Sequence, residues 1–347
     1  MHRDVQFATT DDGVRIAYTV SGAGYPLFWL PHFLASNVQL EWEFPQQYVY
    51  GWLGQHFTVI RFDCRGLGLS DRAVEDLSLG ARFRDLRAVA RKLKLDRFAL
   101  VGIEGGGNLA TAYAAAYPDE VSHLTLINWT PRFRDEANGG RQRALGVLLD
   151  QDWDMLAENI GGVAFGYDQP AAAGYGRLVR ASVSQEMARR YGAELLNEDL
   201  FPAMEQVRAQ SLVIHSQVNF YSSEESARAA ASVIPDARML AFEGGLAQHI
   251  QRLVDSVVEF MKPQGATEAE RAPAVAAAAA SILTLREIEV LTLLVKGLSN
   301  REMADQLTLS PRTVERHLEN VYRKTGARNR AEATAYAFTN GLLHDRG

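Results

Sequence analysis

Residues 98–107 read FALVGIEGGG. Phe98, Ala99, Leu100 and Val101 form a short apolar run suited to a buried strand, and a helical stretch containing Ala110, Ala114 and Tyr117-Pro118 follows the glycines. The reading is strand, sharp turn, helix. Gly102 and the glycines from Gly105 onward bracket Glu104 because such a turn is strained and its helix packs close to its strand. A second glycine-rich turn, Asp63-Cys64-Arg65-Gly66-Leu67-Gly68-Leu69-Ser70-Asp71, follows another candidate strand at 58–63.

Working outward, further strands are expected at 14–20, 27–30, 124–128, 212–215 and 238–242. Helices are expected at 78–93, 107–117, 223–233 and 250–261. This alternation predicts an α/β domain with a mostly parallel, doubly wound sheet covered by helices on both faces. The stretch 131–202 lacks strand signals and reads as a helical lid inserted over the sheet. Residues 262–281, KPQGATEAERAPAVAAAAAS, carry no amphipathic period and read as a linker. The expected organisation is therefore a domain at 1–261, a linker at 262–281 and a second, all-α domain of four helices at 282–347.

Composition agrees with two globular domains: 347 residues, 47% hydrophobic and 22% charged. One cysteine, Cys64, excludes an internal disulfide framework and a multi-cysteine metal site. No metal or other cofactor is expected. There is no signal-peptide pattern and no apolar run of membrane-spanning length, so a cytoplasmic protein without a membrane partner is expected. The net charge of −6 is unevenly spread. From residue 282 to the end, ten Lys and Arg stand against eight Asp and Glu, which makes that part +2 and the rest −8.

The second domain is punctuated by helix-start signals. Thr284-Leu285-Arg286-Glu287 and Ser299-Asn300-Arg301-Glu302 are capping boxes, Ser310-Pro311 pairs a cap with proline at the first helical position, and Asn329-Arg330-Ala331-Glu332 opens a fourth helix. Gly297 and Gly326 stop the first and third helices. Only Thr308, Leu309 and Ser310 separate the second and third helices, the spacing of a helix-turn-helix. In the third helix Val314, Leu318 and Val321 share the core side, which leaves Arg312, Thr313, Arg316, His317, Asn320 and Lys324 for a major groove and its phosphates.

Residues 283–343 resemble a LuxR-type DNA-binding domain over their whole length, with Glu287, Gly297, Asn300, Glu302, Thr313, Val314, His317, Lys324 and Asn329 among the agreeing positions. The resemblance implies double-stranded DNA as partner, read by the third helix, and dimerisation through the fourth. Asn300, Arg312, Thr313, Arg316, His317, Asn320, Lys324 and Arg328 are the expected DNA contacts. Glu315 and Glu319 depart from the basic groups many members carry there, which leaves Arg316 as the leading candidate for a base edge.

The elbow GIEGG, the RGLGLS turn and the YPDEV segment before a strand resemble the α/β-hydrolase fold over most of residues 10–261. The resemblance implies a Ser-His-acid triad, and the sequence departs from it at each member. Glu104 stands at the nucleophile position, Asn219 at the acid position and Ala247 at the histidine position, with His249 two residues late. The expectation is a hydrolase fold without catalysis that keeps its pocket. His32, Phe33, Glu104, Gly105, Trp129, Trp153, Asn219, Phe220 and His249 are its expected ligand contacts, with Trp42, Phe133 and Tyr221 as further walls. Backbone N–H groups near His32-Phe33 and at Gly105 would supply donors, and Glu104 would favour a small phenolic or other aromatic ligand offering a hydroxyl or amine. Joined, the halves predict a ligand-responsive transcriptional regulator. It would bind a pseudo-palindromic operator as a homodimer, with RNA polymerase as a further partner. Two alternatives stand beside it: an active hydrolase or dehalogenase-like enzyme using Glu104 as nucleophile, and a domain that serves only as a dimerisation scaffold.

Overall fold

The computed structural model describes residues 4–30, 32–43, 46–136, 140–165, 170–219, 221–246, 249–261, 285–295, 298–307, 309–325, 327, 329–330 and 332–334. The chain divides into two compact units, Met1–Glu270 and Arg271–Gly347. Both the expected linker and most of the expected fourth helix of the second domain lie outside the described residues.

In chain order the first unit runs β1 (Gln6–Thr9), β2 (Arg15–Gly22), β3 (Tyr25–Leu30), α1 (Gln46–Leu53), β4 (Phe57–Phe62), α2 (Leu79–Lys92), β5 (Phe98–Ile103), α3 (Gly106–Ala116) and β6 (Val121–Ile127). It continues α4 (Phe133–Glu136), α5 (Gly140–Gln151), α6 (Trp153–Phe165), α7 (Pro170–Ser182), α8 (Gln185–Asn197), α9 (Phe201–Met204), β7 (Gln210–Val218), α10 (Glu224–Val233), β8 (Ala237–Gly245) and α11 (Ile250–Phe260). The eight strands form one sheet in the order β1-β2-β4-β3-β5-β6-β7-β8. β1/β2 and β2/β4 pair antiparallel, and every later neighbour pairs parallel. The four-residue β1 has no counterpart in the sequence expectation, because a strand that short carries no readable alternation.

Period-2 geometry sorts the central strands between two cores. Phe28, Leu30, Leu100, Leu124 and Leu126 join Leu86, Leu109 and Tyr113 of α2 and α3. Leu27, Trp29, Ala99, Val101, Ile127 and Ile214 join Val49 and Leu53 of α1 and Leu253, Val254 and Val257 of α11. β5 is buried along nearly its whole length, as a strand covered on both faces must be, and this explains its unbroken apolar run. The region expected to be a lid is helical throughout its described part, from α4 to α9.

Three centres of buried charge tie loops and lid to this frame. Arg61 pairs with Glu41, which also accepts from Tyr50 Oη at 2.8 Å. Arg65 pairs with Asp85 and Asp12, and its carbonyl accepts from Tyr191 Oη of α8 at 2.7 Å. Arg82 of α2 pairs with Glu198, the C-cap of α8. Glu198 also accepts from Asn108 Nδ2 of α3 at 2.6 Å, and Asn108 Oδ1 accepts from Trp129 Nε1 at 2.7 Å.

The second unit contains α12 (Leu285–Val295), α13 (Asn300–Leu307) and α14 (Pro311–Thr325). Val290, Leu291 and Leu294, Met303 and Ala304, and Val314, Leu318 and Val321 form its core. Three expected caps are in place. Ser299 N donates to Glu302 Oε2 at 2.7 Å while Glu302 N returns to Ser299 Oγ. Thr313 N donates to Ser310 Oγ at 3.1 Å, and Glu332 N donates to Asn329 Oδ1 at 2.9 Å. Thr284 lies outside the described residues.

Candidate ligand cavity and nucleic-acid interface

β5 ends at Ile103, Glu104 turns with φ 50°, and α3 begins at Gly106. A side chain in left-handed backbone is strained by about 1–3 kcal/mol and persists only where its surroundings fix it. Here Glu104 N donates to Ile127 O at 2.8 Å, and Gly107 N to Glu104 O at 2.9 Å. The glycines are required by close approach. A Cβ on Gly102 would stand 2.6 Å from Gly107 Cα, and one on Gly107 would stand 2.4 Å from Trp129 Cδ1. The Glu104 carboxyl has no hydrogen-bond partner among the described residues, and burial pushes its pKa up to about 7. Its charged form lies close enough to Tyr221 and Tyr175 to raise both phenol pKa values beyond the effect of burial.

Beneath the lid lies a cavity of about 390 Å³. Its floor includes His32, Phe33 and Tyr221 beyond the carboxyl ends of the strands, and its roof is Leu145 and Leu149 of α5, Leu156 and Ile160 of α6, and Leu195 and Leu196 of α8. Arg189 of α8 spans the mouth to Asp150 of α5, with Nε to Oδ1 at 3.0 Å. The size lies within the usual range for small-molecule sites, and the wall is predominantly apolar. Phe133 stacks on Tyr221 with ring centroids 4.8 Å apart, and His32 meets Tyr221 edge-on at 5.4 Å.

The residues expected at this site scatter. His32, Phe33, Phe133 and Tyr221 line the cavity. Glu104 does not. The rings of Tyr221 and His32 pack beside the next residue: a methyl on Gly105 would meet Tyr221 Oη at 3.1 Å and His32 Cδ2 at 3.3 Å. Gly105 itself lines a separate void of about 30 Å³. Trp129 is no wall, being 1% exposed in the core against Gly107 with its indole N–H taken by Asn108. Trp153 packs at the start of α6 against the Leu34 cluster. Asn219 shapes its own loop, accepting from Tyr221 N and Ser222 N at 2.9 Å and donating to Ser216 O at 2.7 Å. His249 Nε2 lies 2.6 Å from Glu243 O, and its ring stacks on Phe242. Next to the expected donor at His32-Phe33, the Leu34 N–H is taken by His32 Nδ1 at 3.2 Å. Phe220, Ala247 and the side chain of Trp42 lie outside the described residues. The five roof leucines and the one isoleucine went unread. Their one signal is the i, i+4 spacing of Leu145–Leu149 and Leu156–Ile160, which any lid helix shares.

On α14 the side chains opposite the buried Val314, Leu318 and Val321 include Arg312, Arg316 and Arg323, all exposed. Among the described residues Arg312, Arg316 and His317 have no intramolecular partner, so their donors are available to a ligand. The other expected contacts are engaged. Lys324 Nζ donates to the buried Glu287 at 2.7 Å, which makes it a strut between α12 and α14. Asn320 accepts from Arg323 at 2.8 Å, Thr313 bonds Ser310, and Asn300 accepts from Arg330 at 3.5 Å. Arg328 lies outside the described residues. Arg323, seven residues after Arg316 on the same ridge, was missed; helical spacing alone places it there.

Residues 281–337 match the luxR family of bacterial regulatory proteins, and residues 31–162 match the alpha/beta hydrolase fold. The chain joins a LuxR-type DNA-binding domain to a hydrolase-fold domain. The Fimbriae Z protein of Escherichia coli (strain K12) is 46% identical over 57 residues, 16% of this chain and 27% of that protein. A soluble epoxide hydrolase of Corynebacterium sp. (strain C12) is 31% identical over 120 residues, 35% of this chain and 40% of the enzyme. The chain spans roughly a third of the length of the curated relatives it matches. An esterase structure from Rhodococcus sp. ECU1013 superposes with a TM-score of 0.65 at 21% identity, covering 76% of this chain and all of that one, which shows the fold. Among the described residues no helix is long and apolar enough to cross a membrane.

For this LuxR-type domain the free guanidinium of Arg316 leads to a quantitative expectation. Arg316→Ala should weaken operator binding by about 1–3 kcal/mol, roughly 5- to 150-fold, and relax preference at one base position. A loss equal on operator and random DNA, with the salt slope reduced by about one, would assign Arg316 to a phosphate instead. Binding titrations on both DNAs at two salt concentrations separate these outcomes.

Proposed function

We propose that the hydrolase-fold unit of this regulator is a catalytically silent ligand sensor that sets operator binding by a homodimer. The observation that carries the reading is a formed apolar cavity beside an elbow that lacks its chemistry. On this reading Glu104 stands in place of a serine, and Asn219 at the acid position and His249, two residues after the histidine position, are committed to their own loops. Turnover by a carboxylate nucleophile needs a base that activates water against the ester intermediate, and among the described residues no histidine hydrogen-bonds Glu104. A bound ligand changes DNA binding to the extent that it prefers one arrangement of the dimer. Two-fold symmetry matches a pseudo-palindromic operator.

Thermal unfolding of the full chain against neutral aromatic and phenolic compounds tests this. A binder should raise the transition progressively, by about 2.7 kcal/mol at a hundredfold excess over Kd. It should also change operator affinity and be recovered unaltered. A second reading draws on the strained elbow, which presents Glu104 as a hydrolase presents its nucleophile, and on the partial likeness to an epoxide hydrolase. Consumption of epoxides, halides or esters that stops in Glu104→Gln would establish that reading and end the first.

A further inference from the structure

We propose that His32 is the polar anchor of the cavity, and that the ligand is an uncharged, mostly hydrocarbon molecule that offers His32 Nε2–H a single acceptor oxygen. The inference rests on reading the cavity as a ligand site, and it narrows the chemistry of what enters.

His32 caps the 3-10 turn Phe33–Ala35, with its Nδ1 accepting from Leu34 N. A ring nitrogen that accepts a hydrogen bond carries no proton, so the neutral imidazole must hold its hydrogen on Nε2. Burial keeps the ring neutral by pushing its pKa down to about 3. His32 is only 8% exposed, yet it lines the cavity, and Nε2 has no partner among the described residues. A donor without a protein partner on a residue that lines the cavity discriminates for a ligand that completes it. Phe33 and Tyr221 hold the ring from two sides, with centroids 4.4 and 5.4 Å away.

The rest of the wall sets what the oxygen is attached to. Phe33, Leu34, Leu149, Leu156, Ile160 and Leu195 offer only hydrocarbon. The charged side chains of the wall, Arg143, Asp150 and Arg189, are all exposed, and Arg189 pairs with Asp150. Glu104 does not line the cavity, so it neither requires a ligand hydroxyl nor repels a ligand by contact. The expectation of a ligand that donates to Glu104 therefore gives way to one that accepts from His32. A ketone, ester, lactone or amide oxygen on an apolar body meets these demands, whereas an anion seated at His32 would lose its water among the rings of Phe33 and Tyr221.

The test uses the full chain and three probes of one shape: 4-phenylbutan-2-one, n-butylbenzene and 4-phenylbutyrate. Affinities are measured for the parent protein, His32→Asn and His32→Gln. Asn places an acceptor where Nδ1 stands and so keeps the cap on Leu34 N, but has no group at Nε2; Gln reaches the Nε2 position with an N–H. The ketone-to-hydrocarbon affinity ratio should fall about tenfold in His32→Asn and be largely retained in His32→Gln, with the anion weaker than the ketone in every form. In parallel, the Nε2 resonance of ¹⁵N-histidine-labelled parent protein should shift with the ketone and not with n-butylbenzene, a readout independent of whether a variant folds. An unchanged ratio in His32→Asn, or an unmoved Nε2 resonance with ketone bound, overturns the role of His32 while leaving the cavity a ligand site. If the parent protein binds neither the ketone nor n-butylbenzene, the cavity reading fails along with it.

Discussion

Glu198→Ala should destabilise the hydrolase-fold unit by about 3–5 kcal/mol in urea unfolding. The carboxylate accepts from two elements at once, the Arg82 guanidinium of α2 and Asn108 Nδ2 of α3, at the point where the lid rejoins the sheet. All three side chains are at least nine-tenths buried. Removing the acceptor strands a guanidinium that stays charged under any condition in which the protein folds, together with an amide donor, and uncompensated buried charge is among the largest single-site penalties. Replacing both partners with hydrocarbon, as in Arg82→Met with Glu198→Leu, should recover most of the loss, because the pair itself contributes little beyond its own desolvation. A double-mutant cycle gives the coupling directly. A single-site loss below about 1 kcal/mol would show that water reaches Arg82 and that the cluster is not sealed.

Glu104→Gln should stabilise the same unit at high pH and leave it nearly unchanged at low pH. The carboxyl titrates near 7 when folded and near 4.5 when free. Between those values the folded state retains a proton that the unfolded state releases, so stability falls as pH rises from about 4.5 to about 7 and the cost is complete above that. The shift corresponds to about 3 kcal/mol at pH 8. An amide of the same shape escapes the cost entirely. Urea unfolding of parent and variant at pH 4.5 and pH 8 checks it, since other titrating groups are common to both proteins. Equal differences at the two pH values would mean that the carboxylate stays charged and finds a partner. His32 pulls the other way. Its pKa of about 3 against an ordinary 6.5 means that the neutral ring supports the fold fully above pH 6.5 and progressively less as pH falls. Both side chains are thus uncharged in the folded unit between about pH 3 and pH 7.

What the sequence made legible was local. The elbow around Glu104 and the caps at Ser299, Ser310 and Asn329 each follow from residues within a few positions of one another, where steric and hydrogen-bonding rules act directly. The two-domain architecture followed from the order of such signals. What could not be read were partnerships across long loops. Trp129 looked like a pocket wall because a tryptophan after a strand commonly is one; its indole is instead spoken for by Asn108, 21 residues away. Lys324 looked like a phosphate contact, but Glu287 lies 37 residues upstream and is buried beneath it. His32 was placed correctly at the strand end, yet its tautomer depends on one backbone N–H whose direction only the fold defines. The roof was invisible because α5, α6 and α8 would show the same amphipathic spacing over a filled core as over an open space.

The contrast between the buried guanidinium centres and the aliphatic roof bears on how this molecule changes over generations. Arg61, Arg65 and Arg82 are each locked to an acid, so a lineage altering one partner alone passes through a form that folds poorly. The leucines and isoleucine over the cavity carry no such obligation. Swaps among aliphatic side chains of similar volume cost under about 1.5 kcal/mol, and each one redraws the shape of the enclosed space. The frame is conservative and the roof is free to drift, which lets one scaffold acquire new selectivity by single steps without ever leaving the folded state.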